Sequence, residues 1–167
     1  MQLVHEQNFS TKTLFPVVIV SDTISFLDNI GSLFRAGDAF GVSKIFFYDE
    51  NPAFNYRKIH KTSRNTHKTV PHEVITDRKE IIRRLQEENY TIIALEITAT
   101  SKDLRDIELN KDQKIALIIG NEVHGIQQDF LEIAHQTVHI QMHGTNSSMN
   151  VVQAAAIALY EIINQIK

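Results

Sequence analysis

The chain has 167 residues, of which 43% are hydrophobic and 22% charged, and a formal net charge of −3, which predicts one globular domain with its own buried core. The absence of cysteine excludes disulfides, cysteine-ligated zinc and a thiol nucleophile. No signal peptide or membrane-spanning segment is expected, because the first residues lack a basic and apolar leader and no apolar run is long enough, so a cytoplasmic protein without membrane contact is predicted.

Short apolar runs rich in β-branched residues predict six strands, at residues 16–21, 44–49, 68–73, 91–96, 114–120 and 137–142. Several of these runs are continuous rather than alternating, which is typical of a parallel sheet covered on both faces. Helical spacing predicts four helices, at residues 28–41, 77–89, 127–134 and 148–166. Asp28 and Asp77 are the expected N-caps of the first two. The alternation predicts an α/β fold with a mainly parallel six-stranded sheet flanked by helices.

A basic segment follows the second predicted strand, at residues 57–68, with the sequence RKIHKTSRNTHK. Its five cations are Arg57, Lys58, Lys61, Arg64 and Lys68, and it contains no acid. The rest of the chain is acidic, with 12 of the 17 cations against all 20 acids. Such a local concentration of positive charge predicts a site for phosphate-rich partners, with a solvated basic loop as the alternative.

Polar residues follow the ends of three predicted strands, where open α/β sheets bind their ligands. The loops cover residues 29–41, 120–125 and 142–150. The candidate functional residues in them are Asn29, Arg35, Glu122 and Asn150. Each loop alone also fits a purely structural role, such as a cap of the last helix by Ser147 or Ser148. Polar side chains at the ends of three separate strands together favour a functional site.

Familiar nucleotide-binding and hydrolase motifs are missing from these loops. Gly120 and Gly125 have the spacing of a P-loop, but Ile126-Gln127 replaces the lysine and hydroxyl residue that bind phosphate and magnesium. The chain contains neither G-x-G-x-x-G after a strand nor G-x-S-x-G. Three histidines spaced by four, at 135, 139 and 143, belong to a predicted strand and its flanks, so they would not share one face. No metal site is therefore expected.

The three loops together resemble the SpoU/TrmH class of RNA ribose 2′-O-methyltransferases in the SPOUT superfamily. The first motif of that class, N-x-G-x-x-x-R followed by F-G, is matched from Asn29 to Gly41. The second is matched by ALIIGNEVHGI and the third by IQMHGTNSSMNVVQAAA. Gln141 stands where the class has proline, and residues 65–67 (Asn-Thr-His) stand where Gly-Ala-Glu is common. The motifs extend over nearly the whole chain.

The resemblance implies a single SPOUT methyltransferase domain over residues 1–167, without a separate RNA-binding domain. It also implies a deep C-terminal trefoil knot and a homodimer, both of which would bury the last helix. S-adenosylmethionine is the implied cofactor. The implied cofactor-binding residues are Leu95, Gly120, Ile140, Ser148 and Met149, and the implied catalytic residues are Asn29, Arg35, Glu122 and Asn150.

The expected reaction is in-line attack of a ribose 2′-hydroxyl of tRNA on the sulfonium methyl group, for which positioning supplies much of the acceleration. The same chemistry on rRNA and a non-catalytic RNA-binding protein are the alternatives, and a nucleotide hydrolase is disfavoured by the missing P-loop. Arg35 is the residue to which the class assigns proton removal. A free guanidinium has a pKa above about 12, so its neutral form at pH 7 costs roughly 7 kcal/mol. This favours phosphate clamping and alkoxide stabilisation by Arg35.

Overall fold

The computed structural model describes residues 13–52 and 54–167. These residues form a sheet of seven strands, all paired in parallel, in the order β3-β2-β1-β6-β4-β7-β5. The strands are β1 (Phe15–Asp22), β2 (Val42–Tyr48), β3 (His72–Ile75), β4 (Thr91–Leu95), β5 (Lys102–Asp103), β6 (Ile115–Ile119) and β7 (Gln136–His139). The predicted α/β class with a parallel sheet is confirmed.

The predicted number of six strands is wrong, because β5 adds a seventh at the edge of the sheet. Lys102 and Asp103 pair with β7, and neither is apolar, so no hydrophobic run in the sequence predicts this strand. The third predicted strand is displaced from residues 68–73 to His72–Ile75. Pro71 has no N–H to donate to a ladder, and the strand begins directly after it.

Five α-helices cover the two faces of the sheet. They are α1 (Leu27–Ala39), α2 (Tyr56–Ser63), α3 (Arg78–Glu87), α4 (Gln128–Glu132) and α5 (Val151–Ile166). The predicted cap of α3 is confirmed, since the Asp77 carboxylate accepts the N–H of Lys79 at 3.0 Å. The predicted cap of α1 is wrong. That helix begins after Phe26, and Asp28 lies within its first turn, where its charge still favours the helix dipole.

Two elements differ from the sequence prediction in a way that concerns function. The basic segment is not a loop: α2 and a 3₁₀ turn at Thr66–Lys68 contain it. The last helix begins at Val151 rather than at Ser148, and Asn150 is its N-cap instead of Ser147 or Ser148. The amino-terminal stretch that carries the signal-peptide prediction lies outside the described residues.

The core has one hydrophobic cluster on each face of the sheet, because successive residues of a strand point to opposite faces. In β1, Val17 and Ile19 belong to the cluster that also contains buried residues of α1, α2 and α5. Val18 and Val20 belong to the cluster formed with α3 and α4. Full burial of one such side chain contributes about 1.5–3 kcal/mol. The sheet is thereby held rigid, and the loops at its carboxyl edge have a fixed base.

In the single chain, helix α5 leaves one stripe exposed, and the resemblance implies that a homodimer would cover part of this helix. Its buried residues include Ala155, Leu159 and Ile162, but a stripe on the other side is exposed. In that stripe, Ile157 is 44% exposed and Tyr160 is 62% exposed. The strand order does not by itself determine threading, so the trefoil knot stays a prediction. No helix within residues 13–52 and 54–167 has the length and hydropathy needed to span a membrane.

Candidate active site

A cavity of about 770 Å³ lies at the carboxyl edge of the sheet, among the loops that follow β1, β4, β6 and β7 and the start of α5. Its volume is in the range of small-molecule sites. All five predicted cofactor residues and three of the four predicted catalytic residues line it: Leu95, Gly120, Ile140, Ser148, Met149, Asn29, Glu122 and Asn150. Segments spread from Asn29 to Asn150 therefore meet at one site.

A chain of hydrogen bonds joins the three candidate catalytic side chains that line the cavity. Asn150 Nδ2 donates to Asn29 Oδ1 at 3.0 Å, and Asn29 Nδ2 donates to Glu122 Oε1 at 2.7 Å. Because an ionised carboxylate only accepts, Glu122 fixes which end of the Asn29 amide faces it. Asn29 Oδ1 must then face a donor, which is the Nδ2 group of Asn150. The direction of the whole chain is thus set by Glu122.

Glu122 also organises the loop after β1, to which it is distant in sequence. Its Oε2 atom accepts the N–H of Ser25 at 3.0 Å, and its Oε1 atom lies 3.5 Å from the N–H of Phe26. These N–H groups immediately precede α1, where backbone donors have no helical carbonyl to bond. The negative charge of a carboxylate here also interacts favourably with the positive end of the helix dipole. Glu122 is therefore both a wall of the cavity and the acceptor that fixes the start of α1.

Asn150 links the cavity to the last helix through the other end of its amide. Its Oδ1 atom accepts the N–H groups of Val152 at 2.9 Å and Gln153 at 3.3 Å, which makes it the N-cap of α5. Its Nδ2 group remains free to donate to Asn29. One side chain thus caps α5 and also positions Asn29 of α1.

Asn121 is a second loop organiser that the sequence analysis did not single out. The backbone of Asn121 and Gly125 forms two hydrogen bonds of 3.0 Å, which closes a tight hairpin after β6. Asn121 Oδ1 accepts the N–H groups of Val123 and His124 inside that hairpin. Its Nδ2 group donates to Thr23 O at 2.6 Å and Ser25 Oγ at 2.9 Å. The loops after β1 and β6 are therefore tied together beside the cavity.

Glu96 was also missed, although it lines the cavity directly after β4. Its Oε2 atom accepts the N–H of Ile126 at 2.9 Å, and its Oε1 atom accepts the N–H of Ile97 at 2.9 Å. A Cβ on Gly125 would collide with this carboxylate, and Gly125 has a φ of +67°. The positive φ favours glycine there, and a larger residue would also displace the Glu96 carboxylate. An acid directly after the apolar run TIIAL was the sequence signal that could have identified Glu96.

Arg35 does not line the cavity, unlike the other predicted catalytic residues. It is exposed on α1, one turn after Gly31, and makes no hydrogen bond or ion pair with any residue that the structure describes. At Gly31 the two helices approach closely: a Cβ there would collide with Thr62 Oγ1 and lie 2.9 Å from Ile59 O. Residues i and i+4 share a face of a helix, so Arg35 lies on the side of α1 that faces α2.

The basic segment presents all five of its cations to solvent, from α2 and the following 3₁₀ turn. Asn55 caps α2 by accepting the N–H of Lys58 at 3.2 Å. Beneath the cations, the buried His67 ring forms a 2.7 Å hydrogen bond with Ser63 Oγ. Burial lowers the pKa of His67, and the nearby charges of His60 and Lys68 act in the same direction. His67 is thus a neutral packing residue that supports the basic surface.

A smaller cavity of about 310 Å³ lies on the other side of Asn121. Asp22, at the end of β1, accepts the N–H of Gln127 at 2.7 Å. Burial raises the pKa of Asp22, while this N–H group and Arg78 lower it. The Arg78 guanidinium lies 4.2 Å from the centroid of the Tyr48 ring. The bond from Gln127 N–H to Asp22 holds the segment after the hairpin, so we assign this group of residues a structural role.

The histidines at 135, 139 and 143 do not form a cluster. His135 Nδ1 accepts the N–H of Ile92 at 3.0 Å, whereas His139 Nδ1 bonds Ser101 Oγ at 3.0 Å. In the part of the chain that the structure describes, no group of three or more histidine or acidic side chains is placed to hold a metal ion.

Comparison with known proteins identifies the family. The profile of the SpoU rRNA Methylase family matches residues 16–160. The chain belongs to this family. The resemblance and the enzyme class predicted from the three motifs are therefore confirmed, while the roles of individual residues stay predictions.

Curated relatives of this SpoU family chain act on two kinds of RNA. It is 31% identical over 137 residues to a tRNA (guanosine(18)-2′-O)-methyltransferase of Thermus thermophilus, a match that covers 82% of this chain and 69% of the relative. It is 28% identical over 150 residues to the 23S rRNA (guanosine-2′-O-)-methyltransferase RlmB of Escherichia coli, covering 90% of this chain and 60% of the relative.

Solved structures of SpoU proteins have the same fold. The A. aeolicus TrmH/SpoU tRNA modifying enzyme superposes with a TM-score of 0.81 at 24% identity, covering 92% of this chain and 77% of that one. The SpoU methyltransferase AviRb from Streptomyces viridochromogenes, solved in complex with AdoMet, superposes with a TM-score of 0.79 at 24% identity, covering 90% and 57%. These likenesses confirm the arrangement of sheet and helices.

Proposed function

We propose that the protein transfers the methyl group of S-adenosylmethionine to a ribose 2′-hydroxyl of tRNA. The observation that carries this proposal is the convergence of the predicted cofactor loops and the Asn150–Asn29–Glu122 chain on one cavity. tRNA is favoured over rRNA because the tRNA methyltransferase relative is the more similar of the two curated relatives described above. The same reaction on rRNA is the alternative.

The lining of the cavity fits the cofactor. Leu95, Ile140 and Met149 offer apolar surfaces for a purine ring, and the loop ends offer backbone N–H and C=O groups for its edge. Gly120 is needed for this shape, because a Cβ there would collide with the backbone of Gly125 and Ile126. When bound, S-adenosylmethionine supplies an electrophilic methyl group on its sulfonium sulfur. The neutral thioether that remains after transfer is a good leaving group and needs no metal ion.

We assign positioning rather than proton transfer to the three hydrogen-bonded residues. Glu122 orients Asn29 and fixes the start of α1, and Asn29 in turn holds Asn150 at the edge of the predicted cofactor loop. Arg35 is exposed on the side of α1 that faces α2, and no carboxylate of the described chain is paired with it. A free guanidinium in this position can bind the phosphate next to the target ribose and stabilise developing negative charge.

The test of the proposed function is tritiated methyl transfer from S-adenosylmethionine to unmodified tRNA transcripts and to rRNA fragments, in EDTA. Transfer to tRNA that maps to a ribose is the expected result, together with calorimetric binding of S-adenosylhomocysteine. Transfer to rRNA alone would support the alternative substrate. RNA binding without cofactor binding or transfer would instead show a non-catalytic RNA-binding protein.

The basic surface of α2 is proposed to contact RNA phosphates. Each phosphate contact makes log K fall with log salt by about 0.7–0.9. Replacing Arg57, Lys58 and Lys61 together by alanine is expected to weaken RNA binding and to flatten the slope by about 2. Filter binding between low and high salt measures this slope. A matched triple variant at exposed lysines 79, 102 and 111 should leave it unchanged, and an unchanged slope in the α2 variant would make the segment only a solvated surface.

A homodimer is proposed because the exposed stripe of α5 contains large apolar side chains, Ile157 and Tyr160. Light scattering is expected to give twice the chain mass of 19.1 kDa. Ile157→Lys should shift the particle toward the monomer, since burial of an unpaired charge is unfavourable. A wild-type monomer at micromolar concentration would contradict the proposal. The single-domain organisation, the knot and the cytoplasmic location stay predictions.

A further inference from the structure

Phe26 combines two properties that no other phenylalanine or tyrosine of the described chain shares. It lines the cavity, and its side chain is 59% exposed to solvent. Burial of a phenylalanine side chain contributes about 1.5–3 kcal/mol. A ligand that covers the exposed Phe26 ring would gain part of this free energy. Its ring contacts no other aromatic ring within residues 13–52 and 54–167.

The backbone of Phe26 is fixed on both sides. Its N–H group and that of Ser25 face the Glu122 carboxylate. Its carbonyl oxygen accepts the N–H groups of Asn29 at 2.9 Å and Ile30 at 3.1 Å, which begin α1. Only the side-chain torsions of Phe26 remain free. A ligand that stacks on this ring therefore costs little backbone entropy.

We propose that Phe26 is the stacking platform for an RNA base at the target nucleotide. This inference rests on the proposed function. A nucleotide that turns out of the stack to bring its 2′-hydroxyl into the cavity loses the stacking partners of its base, and an aromatic ring beside the cavity can replace them. Aromatic side chains are the usual partners of splayed RNA bases, and they accept any base because every base has a π-face.

The position of Phe26 favours RNA over the cofactor as the occupant. The predicted cofactor residues Leu95, Gly120 and Met149 come from the loops after β4 and β6 and from the start of α5. Phe26 comes from the loop after β1, three residues before Asn29 on the same segment that leads to Arg35. Because Phe26 lines the cavity, a base stacked on its ring would hold the attached ribose close to the cavity. A second copy of the chain is the other candidate occupant, and the exposed stripe of α5 is the surface proposed for that contact.

The experiment compares Phe26→Ala, Phe26→Leu and Phe26→Tyr in tritiated methyl transfer to unmodified tRNA transcripts. Loss of one stacked base costs roughly 5- to 150-fold in RNA affinity. Phe26→Ala should therefore raise the KM for RNA by a factor in this range, Phe26→Tyr should restore it, and Phe26→Leu should not. Leu14→Ala is the matched control, because Leu14 is 52% exposed and lies at the amino end of β1, on the opposite edge of the sheet.

Calorimetry with S-adenosylhomocysteine and light scattering accompany the kinetics, and unchanged cofactor affinity and mass in all variants support the inference. A Phe26→Leu variant as active as wild type would overturn stacking. Weaker cofactor binding by Phe26→Ala would assign the ring to the cofactor, and a changed particle mass would assign it to an interface between copies. Full activity of Phe26→Ala with an active wild type overturns the platform alone. An inactive wild type overturns the proposed function first.

Discussion

Arg35→Ala is expected to lower methyl transfer by about 100- to 1,000-fold while leaving S-adenosylhomocysteine affinity unchanged. Removal of one group that stabilises transition-state charge typically has an effect of this size. Cofactor affinity should be unaffected, because Arg35 does not line the cavity. Its place on the side of α1 that faces the basic helix α2 suits a phosphate next to the target ribose. The measurement is single-turnover methyl transfer paired with calorimetry on the same variant.

Two further variants sharpen this prediction. Arg35→Lys keeps the positive charge but loses the planar fork that binds phosphate through two parallel bonds, so it should also be severely impaired. Arg83→Ala removes an exposed arginine of α3 that is paired with Glu80 and Glu87, and it should have nearly wild-type activity. Near wild-type transfer by Arg35→Ala would refute both the clamp and the base assignment. The first loop would then contribute to catalysis only through Asn29.

The parts of the fold that follow from hydrophobicity were predicted from the sequence, and the rest were not. The continuous apolar runs of β1, β4 and β6 are typical of a parallel sheet covered on both faces. β5 escaped prediction because its two residues, Lys102 and Asp103, have no apolar signal. Helix α2 escaped it because only Ile59 and Ser63 are buried, so its sequence shows charge rather than a helical stripe.

The location of the site was predictable, because loops after parallel strands meet at one edge of the sheet whatever their own path. The hydrogen bonds between these loops were not predictable. The bonds of Asn121 and Glu96 to backbone N–H groups depend on where a hairpin turns, and sequence spacing does not contain that information. The capping role of Asn150 was missed for the same reason, since Ser148 has the same chemistry two residues earlier. Hydrogen bonds of the same kind, from Ser25 and Phe26 to Glu122, fix the backbone of Phe26.

Substitution of Asn150 can separate the effect of its hydrogen bond to Asn29 from its effect on the stability of α5. Asn150→Ala removes the cap of α5 and the bond to Asn29 together. Loss of a cap typically costs about 1 kcal/mol, so the melting temperature should fall by several degrees. Cofactor affinity and turnover should fall as well, because the side chain borders the loop that contains Ser148 and Met149. Alanine alone therefore does not distinguish a misplaced helix from a broken network.

Asn150→Asp makes that distinction. An aspartate oxygen still accepts the N–H groups of Val152 and Gln153, and its charge interacts favourably with the helix N-terminus, so the melting temperature should fall less than in Asn150→Ala. The other oxygen cannot donate to Asn29 Oδ1. If the Asn29 amide turns to supply a donor, its oxygen faces Glu122 instead, so one acceptor always meets another. Loss of one hydrogen bond costs about 0.5–1.5 kcal/mol, which corresponds to roughly 2- to 13-fold lower turnover. Thermal unfolding and methyl transfer on both variants test this, and full activity of Asn150→Asp would show that the cap alone is required.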